Sequence, residues 1–306
     1  MNGILSTAVF GGGALGLMYG QAIKQVLGDD LYFIAEGERF RRFRDAVFLI
    51  NGAEERFVAV RPEEVTRKPD LVLVAVKNYG LPEILPALKL VCGPGTVVVS
   101  VLNGIDSEAV LEAAVPEATV LYCCVQGMDA VKDGHCVNFS SRGKILLGAR
   151  GNLPSSALDA AMSFFARAGL ACETPADIHR SIWSKWMLNI GVNQVTAVTG
   201  ANYGEFRANP HSRALMEAAM REVVQLARAE GVDLREEDIA AWYPVLDRLG
   251  AGGKTSMLQD MENRRRTEVE SFSGKLIAMA RARTIPVPVN ETLYRIISVR
   301  ESLFGR

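Results

Sequence analysis

Between residues 5 and 125 the chain repeats one alternation. A short run of aliphatic and β-branched residues is followed by a longer stretch in which apolar positions recur every three or four residues. The runs 5–10, 31–35, 71–76, 96–101 and 119–125 are apolar at nearly every position, as expected of strands covered on both faces. The stretches 15–27, 81–90 and 107–114 carry helical spacing. Strands and helices in alternation predict an α/β fold built on a parallel sheet. Residues 46–50 and 56–60 flank Asn51-Gly52 and predict a hairpin insertion. Residues 135–139 and 144–147 predict antiparallel strands that close this half.

After about Pro175 the strand-like runs stop. Amphipathic stretches follow at 178–199, 211–230, 235–248, 255–282 and 290–302, with Gly231 placed to end the second. The pattern predicts an α/β domain over 1–176 and an all-helical domain over 177–306. The first helix of the second domain poses a problem. Trp183, Trp186, Met187, Leu188, Ile190, Val192, Val195 and Val198 make it strongly apolar, yet Lys185, Asn189 and Asn193 interrupt it at intervals of four. Each step of four on an α-helix advances about 40°, so the three side chains span roughly 80°. Burying an amide without a partner costs about 2–7 kcal/mol, and an ammonium more. The stripe therefore faces water, or it faces something polar that enters the protein.

Composition narrows the classes. The 306 residues are 49% hydrophobic and 23% charged, with a formal net charge of −1, which gives no electrostatic reason to expect a nucleic acid or an anionic membrane as partner. Arg264-Arg265-Arg266 reads as a solvated helix face. Cys92, Cys123, Cys124, Cys136 and Cys172 are odd in number and lack CxxC spacing, so they read as reduced thiols and not as a disulfide frame. His135, His179 and His211 show no ligand spacing, and no metal site is expected. Residues 4–20 are apolar, but a glycine triplet interrupts them and no basic region precedes them, unlike a secretory signal. These features together predict a cytoplasmic protein. The amphipathic helices of the second half suit either a monomer or a homodimer.

The first strand runs into Gly11-Gly12-Gly13-Ala14-Leu15-Gly16, which fits GxGxxG between a strand and a helix. In that setting the first glycine allows a tight turn, the second a close approach to a pyrophosphate, and the third close packing of helix on strand. The helix N-terminus offers free N–H groups to the anion. The pattern predicts a dinucleotide-binding Rossmann domain. Glu36 follows the second strand, where a carboxylate takes the ribose hydroxyls of NAD; it reads equally as an exposed loop acid. Arg39, Arg41 and Arg42 lie just beyond and are placed to take a 2′-phosphate. Lys77 and Asn103-Gly104 follow further strands, on the side where open α/β sheets bind ligands.

In the second half, Thr255-Ser256-Met257-Leu258-Gln259-Asp260 starts a helix with a hydroxyl in its first turn, suited to capping or to a carboxylate ligand. Glu268 lies twelve residues beyond Ser256, and the pattern predicts one continuous helix with Ser256 at its start and Glu268 near its middle. With GGGALG at 11–16, VAVKN at 74–78, NG at 103–104, WSKWMLNIGVNQVTAV at 183–198, SMLQDMENRRRTEVE at 256–270 and IPVPVN at 285–290, the whole chain resembles the ketopantoate reductases. That resemblance implies a Rossmann domain followed by a helical domain, and NAD(P)H-dependent reduction of 2-dehydropantoate to pantoate on the way to coenzyme A. It implies Lys185 as general acid, Asn189 and Asn193 as substrate-orienting amides, and Ser256 as a carboxylate contact. Glu268 would hold the lysine, the substrate hydroxyl or the nicotinamide end in register. Asn103 would bridge nicotinamide and substrate, and Ala130 would line the cofactor pocket. The family implies NADPH, often with an arginine where this chain has Glu36, so Glu36 argues for NADH or dual use. Some members carry asparagine where this chain has Tyr203 and Gly253. The alternatives are reduction of a related branched 2-oxo acid, or dinucleotide sensing without chemistry.

Overall fold

The computed structural model describes residues 3–304. Contacts divide the chain after Ser181 into two compact units. In the first, the apolar runs become strands: β1 (Thr7–Phe10), β2 (Leu31–Ile34), β6 (Leu71–Val74), β7 (Val97–Ser100) and β8 (Thr119–Met128). The intervening stretches become α1 (Ala14–Leu27), α2 (Gly37–Arg44), α3 (Leu81–Val91) and α4 (Ser107–Ala114). Short strands β3 (Phe48–Ile50), β4 (Ala53–Glu55) and β5 (Val58–Val60) sit between α2 and β6. After β8 come β9 (Val131–Asp133), β10 (Cys136–Asn138), β11 (Arg142–Gly148), α5 (Ser156–Arg167) and β12 (Ala171–Glu173).

The main sheet has the order β12-β11-β8-β7-β6-β1-β2-β5, with β8 through β5 mutually parallel and β11 antiparallel to β8. Alternate side chains go to opposite faces. Val9, Leu73 and Val99 join a core with α1 and α5, while Ala8, Phe10, Val72, Val74 and Val98 join a second core with α3 and α4. Both faces are covered, which is why these runs are continuously apolar. The chain leaves β1 toward β2 on one side and returns to β6 on the other, so the strand order reverses at β1. That reversal opens the crevice where such sheets bind ligands.

Three expectations change in this unit. Asn51 (φ 49°) and Gly52 (φ 81°) form the two-residue turn, but its second strand is β4 at 53–55. Residues 58–60 leave the hairpin to pair with β2, because Phe57 is buried against the rings of Phe33, Phe43 and Phe48 and redirects the chain. The closing strands separate: β10 joins a small sheet of order β4-β3-β10-β9, and β11 joins the main sheet.

The second unit is helical. The first helix opens as α6 (Ile178–Leu188), passes through a π-helical turn at Asn189–Asn193 and continues as α7 (Gln194–Thr199). Then come α8 (Tyr203–Ala208), α9 (Pro210–Ala229), α10 (Glu236–Ala240) and α11 (Tyr243–Arg248). Gly231 (φ 76°) closes α9, with Val232 N–H donating to Ala227 O and Gly231 N–H to Arg228 O. The expected helix 255–282 is two. α12 (Ser256–Glu262) ends in the same motif, with Arg264 at φ 51° and Arg265 N–H donating to Asp260 O. The chain resumes through a second π-helical turn (Glu270–Gly274) into α13 (Lys275–Ala282), and α14 (Pro288–Ser302) follows. Ser256 and Glu268 therefore do not lie on one continuous helix. The three arginines 264–266 are exposed on the connecting segment, not on a helix. No helix among the described residues is long and apolar enough to cross a membrane.

Candidate active site

In the first unit, register brings the dinucleotide candidates to one sheet edge. Phe10 pairs with Ile34 and Val74, and Val74 pairs with Ser100, so Gly11, Glu36, Lys77 and Asn103 all leave the carboxyl ends of adjacent strands. The glycines of the loop are not equivalent. Gly11 holds φ 110°, and a Cβ there would lie 2.5 Å from the Ala75 carbonyl oxygen. At Gly16 a Cβ would lie 1.9 Å from Gly11 O. Gly12 is closed by the Phe43 ring, 2.6 Å from a Cβ. Gly13, the exposed N-cap of α1, meets nothing nearer than 3.8 Å. Ala14 and Leu15 open a first turn that holds no acidic residue and no side-chain cap. An N-terminus left bare with open space before Gly13 fits a dinucleotide pyrophosphate.

Glu36 stands at the N-cap of α2, its backbone extended and its side chain making no cap bond. The nearby arginines are engaged on the surface: Arg39 with Glu83 at 3.1 Å, and Arg41 and Arg42 with Glu38 at 3.6 and 3.8 Å. Asn78 Nδ2 donates to Asn103 O at 2.7 Å, tying the loop after Lys77 to the loop of Asn103. Ala130 is half-buried against the larger core.

Behind the Asn103 loop lies a buried acid that the sequence pattern did not mark. Glu108, 3% exposed, accepts from Ser107 Oγ (3.0 Å), and Ser100 Oγ lies 2.8 Å from Ser107 Oγ. Burial pushes its carboxyl up to about 7.

In the second unit, the stripe of the first helix is buried: Lys185 is 9% exposed, and Asn189 and Asn193 are 8%. Lys185 Nζ and Asn189 Nδ2 have no hydrogen-bond partner among the described residues. Only four buried side-chain atoms there share that condition, and two of them stand one four-residue step apart on this helix. Both are donors. The π-helical turn contributes to the alignment, because i→i+5 bonding turns less per residue and a step of four no longer overshoots a full turn by as much. Gly191 lets this turn sit against α9; a Cβ would come within 2.9 Å of Met216 and Met220.

A buried polar network holds the turn from behind. Gln194 Nε2 donates to Ile190 O (2.7 Å) and to Asn290 Oδ1 (3.1 Å). Ser273 Oγ reaches Gln194 Oε1 and Asn290 Oδ1. Asn290 Nδ2 donates to Ala219 O (3.0 Å) and to Glu222 Oε2 (2.7 Å). These four polar side chains lie inside apolar stretches, and that conflict with the pattern was the available signal. Glu268 is buried just ahead of the second π-helical turn. Trp186 Nε1 donates to Ser271 O at 3.0 Å and so docks the Lys185 turn beside the segment that carries Glu268. At the other end, Thr196 Oγ1 lies 2.7 Å from Thr255 Oγ1, and Thr255 caps α12 by accepting from Leu258 N–H. Ser256 follows, exposed in the first turn. Glu268 thus lies toward the lysine end of the stripe, and Ser256 toward Asn193. Tyr203 and Gly253 prove to be one coupled feature: Tyr203 N–H donates to Gly253 O (2.9 Å), and a Cβ at 253 would lie 3.0 Å from the tyrosine ring.

Comparison with known proteins agrees with both units. Residues 7–152 match the family model described as ketopantoate reductase PanE/ApbA, and residues 177–301 match its C-terminal counterpart. The 2-dehydropantoate 2-reductase of Halobacterium salinarum is 31% identical over 244 residues, covering 80% of each chain. A PanE/ApbA family ketopantoate reductase from Ralstonia eutropha JMP134 superposes with a TM-score of 0.85 at 25% identity, covering 98% of this chain and 100% of that one. D-mandelate dehydrogenase, solved with NADH and anilino(oxo)acetate, shares the fold at a TM-score of 0.85 and 23% identity, covering 98% of this chain and 99% of that one. With both halves matched, the chain belongs to the ketopantoate reductase family, whose members are NAD(P)H-dependent reductases of 2-oxo acids.

Proposed function

We propose that this protein reduces 2-dehydropantoate to pantoate with a reduced nicotinamide dinucleotide. The observation that carries the reading is the pair of unpartnered buried donors, Lys185 Nζ and Asn189 Nδ2. Burying two donors without acceptors costs free energy unless a ligand supplies the acceptors. A 2-oxo acid does so through its ketone and carboxylate oxygens. The glycine loop Gly11–Gly16, Glu36, Lys77, Asn103 and Ala130 would hold the dinucleotide, which when bound supplies the hydride. Negative charge develops on the ketone oxygen during reduction. The Lys185 ammonium offsets that charge and gives up the proton, the type of contribution worth ~10²–10⁴-fold in rate. Asn189 and Asn193 orient the substrate, Ser256 takes its carboxylate, and Glu268 keeps lysine, substrate hydroxyl and nicotinamide end in register, with Asn103 on the dinucleotide side.

Glu36 favours NADH, since the arginines suited to a 2′-phosphate are already paired with acids. A second reading is reduction of a related 2-oxo acid. The coupled Tyr203–Gly253 pair favours it, by putting an aromatic ring where amides stand in some relatives.

The test is nicotinamide absorbance with 2-dehydropantoate, using NADPH and NADH in parallel, on wild type and Lys185→Ala. Oxidation by wild type and a loss of at least ~100-fold in the variant are expected. Turnover of other 2-oxo acids but not 2-dehydropantoate would move the assignment to the second reading. Dinucleotide binding with no turnover of any 2-oxo acid would sink both.

A further inference from the structure

Lys132 lies on β9, in the small sheet and 120 residues along the chain from the glycine loop, yet its Nζ donates to the Gly12 carbonyl oxygen at 2.8 Å. The ammonium also stands 5.7 Å from the centre of the Phe48 ring. The side chain is half-buried, and burial pushes its ammonium down from the ordinary lysine value, with no acid acting against that. Lys132 forms no ion pair with any described residue, unlike Arg39, Arg41 and Arg42. A partly desolvated cation without an anion is costly. This one is fixed on the backbone of a loop whose neighbouring helix N-terminus is bare.

We propose that Lys132 is a phosphate-reading residue of the dinucleotide site, its ammonium pairing with a phosphate of the bound cofactor beside Gly12. The proposal rests on the reading of residues 11–16 as a dinucleotide loop. The cofactor has two phosphate sources. The pyrophosphate is common to NADH and NADPH, and the 2′-phosphate belongs to NADPH alone. The hydrogen bond to Gly12 fixes the ammonium in place, so little side-chain freedom remains to be lost on binding. A charge-assisted contact of this kind is stronger than a neutral one and weakens as salt rises.

The experiment is fluorescence titration of the full-length protein with NADH and with NADPH, at low and high salt. It compares wild type with Lys132→Met, Lys132→Gln and Lys132→Arg, and the unliganded melting temperature of each is measured alongside. Lys132→Met and Lys132→Gln are expected to weaken binding about tenfold or more, a step of ~1.4 kcal/mol, and to flatten its salt dependence, while Lys132→Arg retains most of the affinity. Equal losses for both cofactors assign the contact to the pyrophosphate, and a loss confined to NADPH assigns it to the 2′-phosphate. Wild-type affinity and salt dependence in Lys132→Gln overturn the proposal. So does weaker binding with unchanged salt dependence and a lowered melting temperature, which makes the lysine a prop for the loop. Failure of wild type to bind either dinucleotide removes the reading on which the proposal rests, and the proposal with it.

Discussion

Lys185 places activity and stability in opposition. Its buried, unpartnered ammonium is a cost to the unliganded fold, so Lys185→Met should raise the free energy of unfolding by about 1–3 kcal/mol while turnover collapses. Urea denaturation and the nicotinamide assay on the same preparation check both halves. A variant that is less stable than wild type would mean that the ammonium has a partner. The glycine loop allows a similar separation of roles. Gly11→Ala forces a side chain into φ 110° and against the Ala75 backbone, so loss of folding stability is expected. Gly13→Ala meets open space, so it should melt close to wild type and lose dinucleotide affinity. Equal melting losses in the two would remove the distinction. Much of this was legible in the residues themselves. The four-residue spacing of Lys185, Asn189 and Asn193 set the stripe apart before any contact was known, and the strand-loop-helix context did the same for Gly11–Gly16. Lys132 was not legible, because nothing local relates it to a loop 120 residues away.

Secondary structure elements carry the site through shape as much as through side chains. The π-helical turn at Asn189–Asn193 keeps two amides near the lysine's line, and the Gln194–Asn290–Ser273–Glu222 network fixes that turn to α9, α14 and the second π-helical turn. Asn290→Ala would leave Gln194 and Glu222 short of buried partners, at a cost of about 2–4 kcal/mol. Chemical denaturation measures that loss, and a change under about 0.5 kcal/mol would show that the network is not a structural support. The helix phasing that revealed the stripe did not reveal the turn, since amphipathic spacing does not distinguish i→i+4 from i→i+5 bonding. The break between α12 and the segment of Glu268 was hidden for a different reason. Its left-handed closing residue is Arg264, whereas the same motif after α9 uses glycine and was readable. The hairpin strand expected at 56–60 gives way to pairing of 58–60 with β2 because burial of Phe57, a tertiary event, decides where those residues pair.

For the molecule as a whole, Glu108 makes stability depend on pH. Its carboxyl is raised from 4.5 to about 7, so between those values the native state binds more protons than the unfolded chain. Stability therefore falls as pH rises through that window and levels off above it, by on the order of 3 kcal/mol at most from this group. Glu108→Gln should flatten the decline between pH 5 and pH 8 in urea midpoints. A decline as steep as that of wild type would assign it elsewhere. The alternation of strands and helices in the first half and the change to helices in the second were visible along the chain, because both follow from local periodicity, whereas the order of the strands and its reversal at β1 were not, because pairing is decided by tertiary structure. The buried acid was not, because a glutamate in the first turn of a helix reads as ordinary.

The tryptophans offer an optical consequence. All three, Trp183, Trp186 and Trp242, belong to the helical unit, and the first two stack edge to face at 5.3 Å on the helix of Lys185. Indole emission therefore follows that unit alone, while far-ultraviolet dichroism follows both. Superimposable denaturation curves from the two signals would mean that sheet and helices melt as one cooperative body, and a lag between them would reveal an intermediate with one half intact.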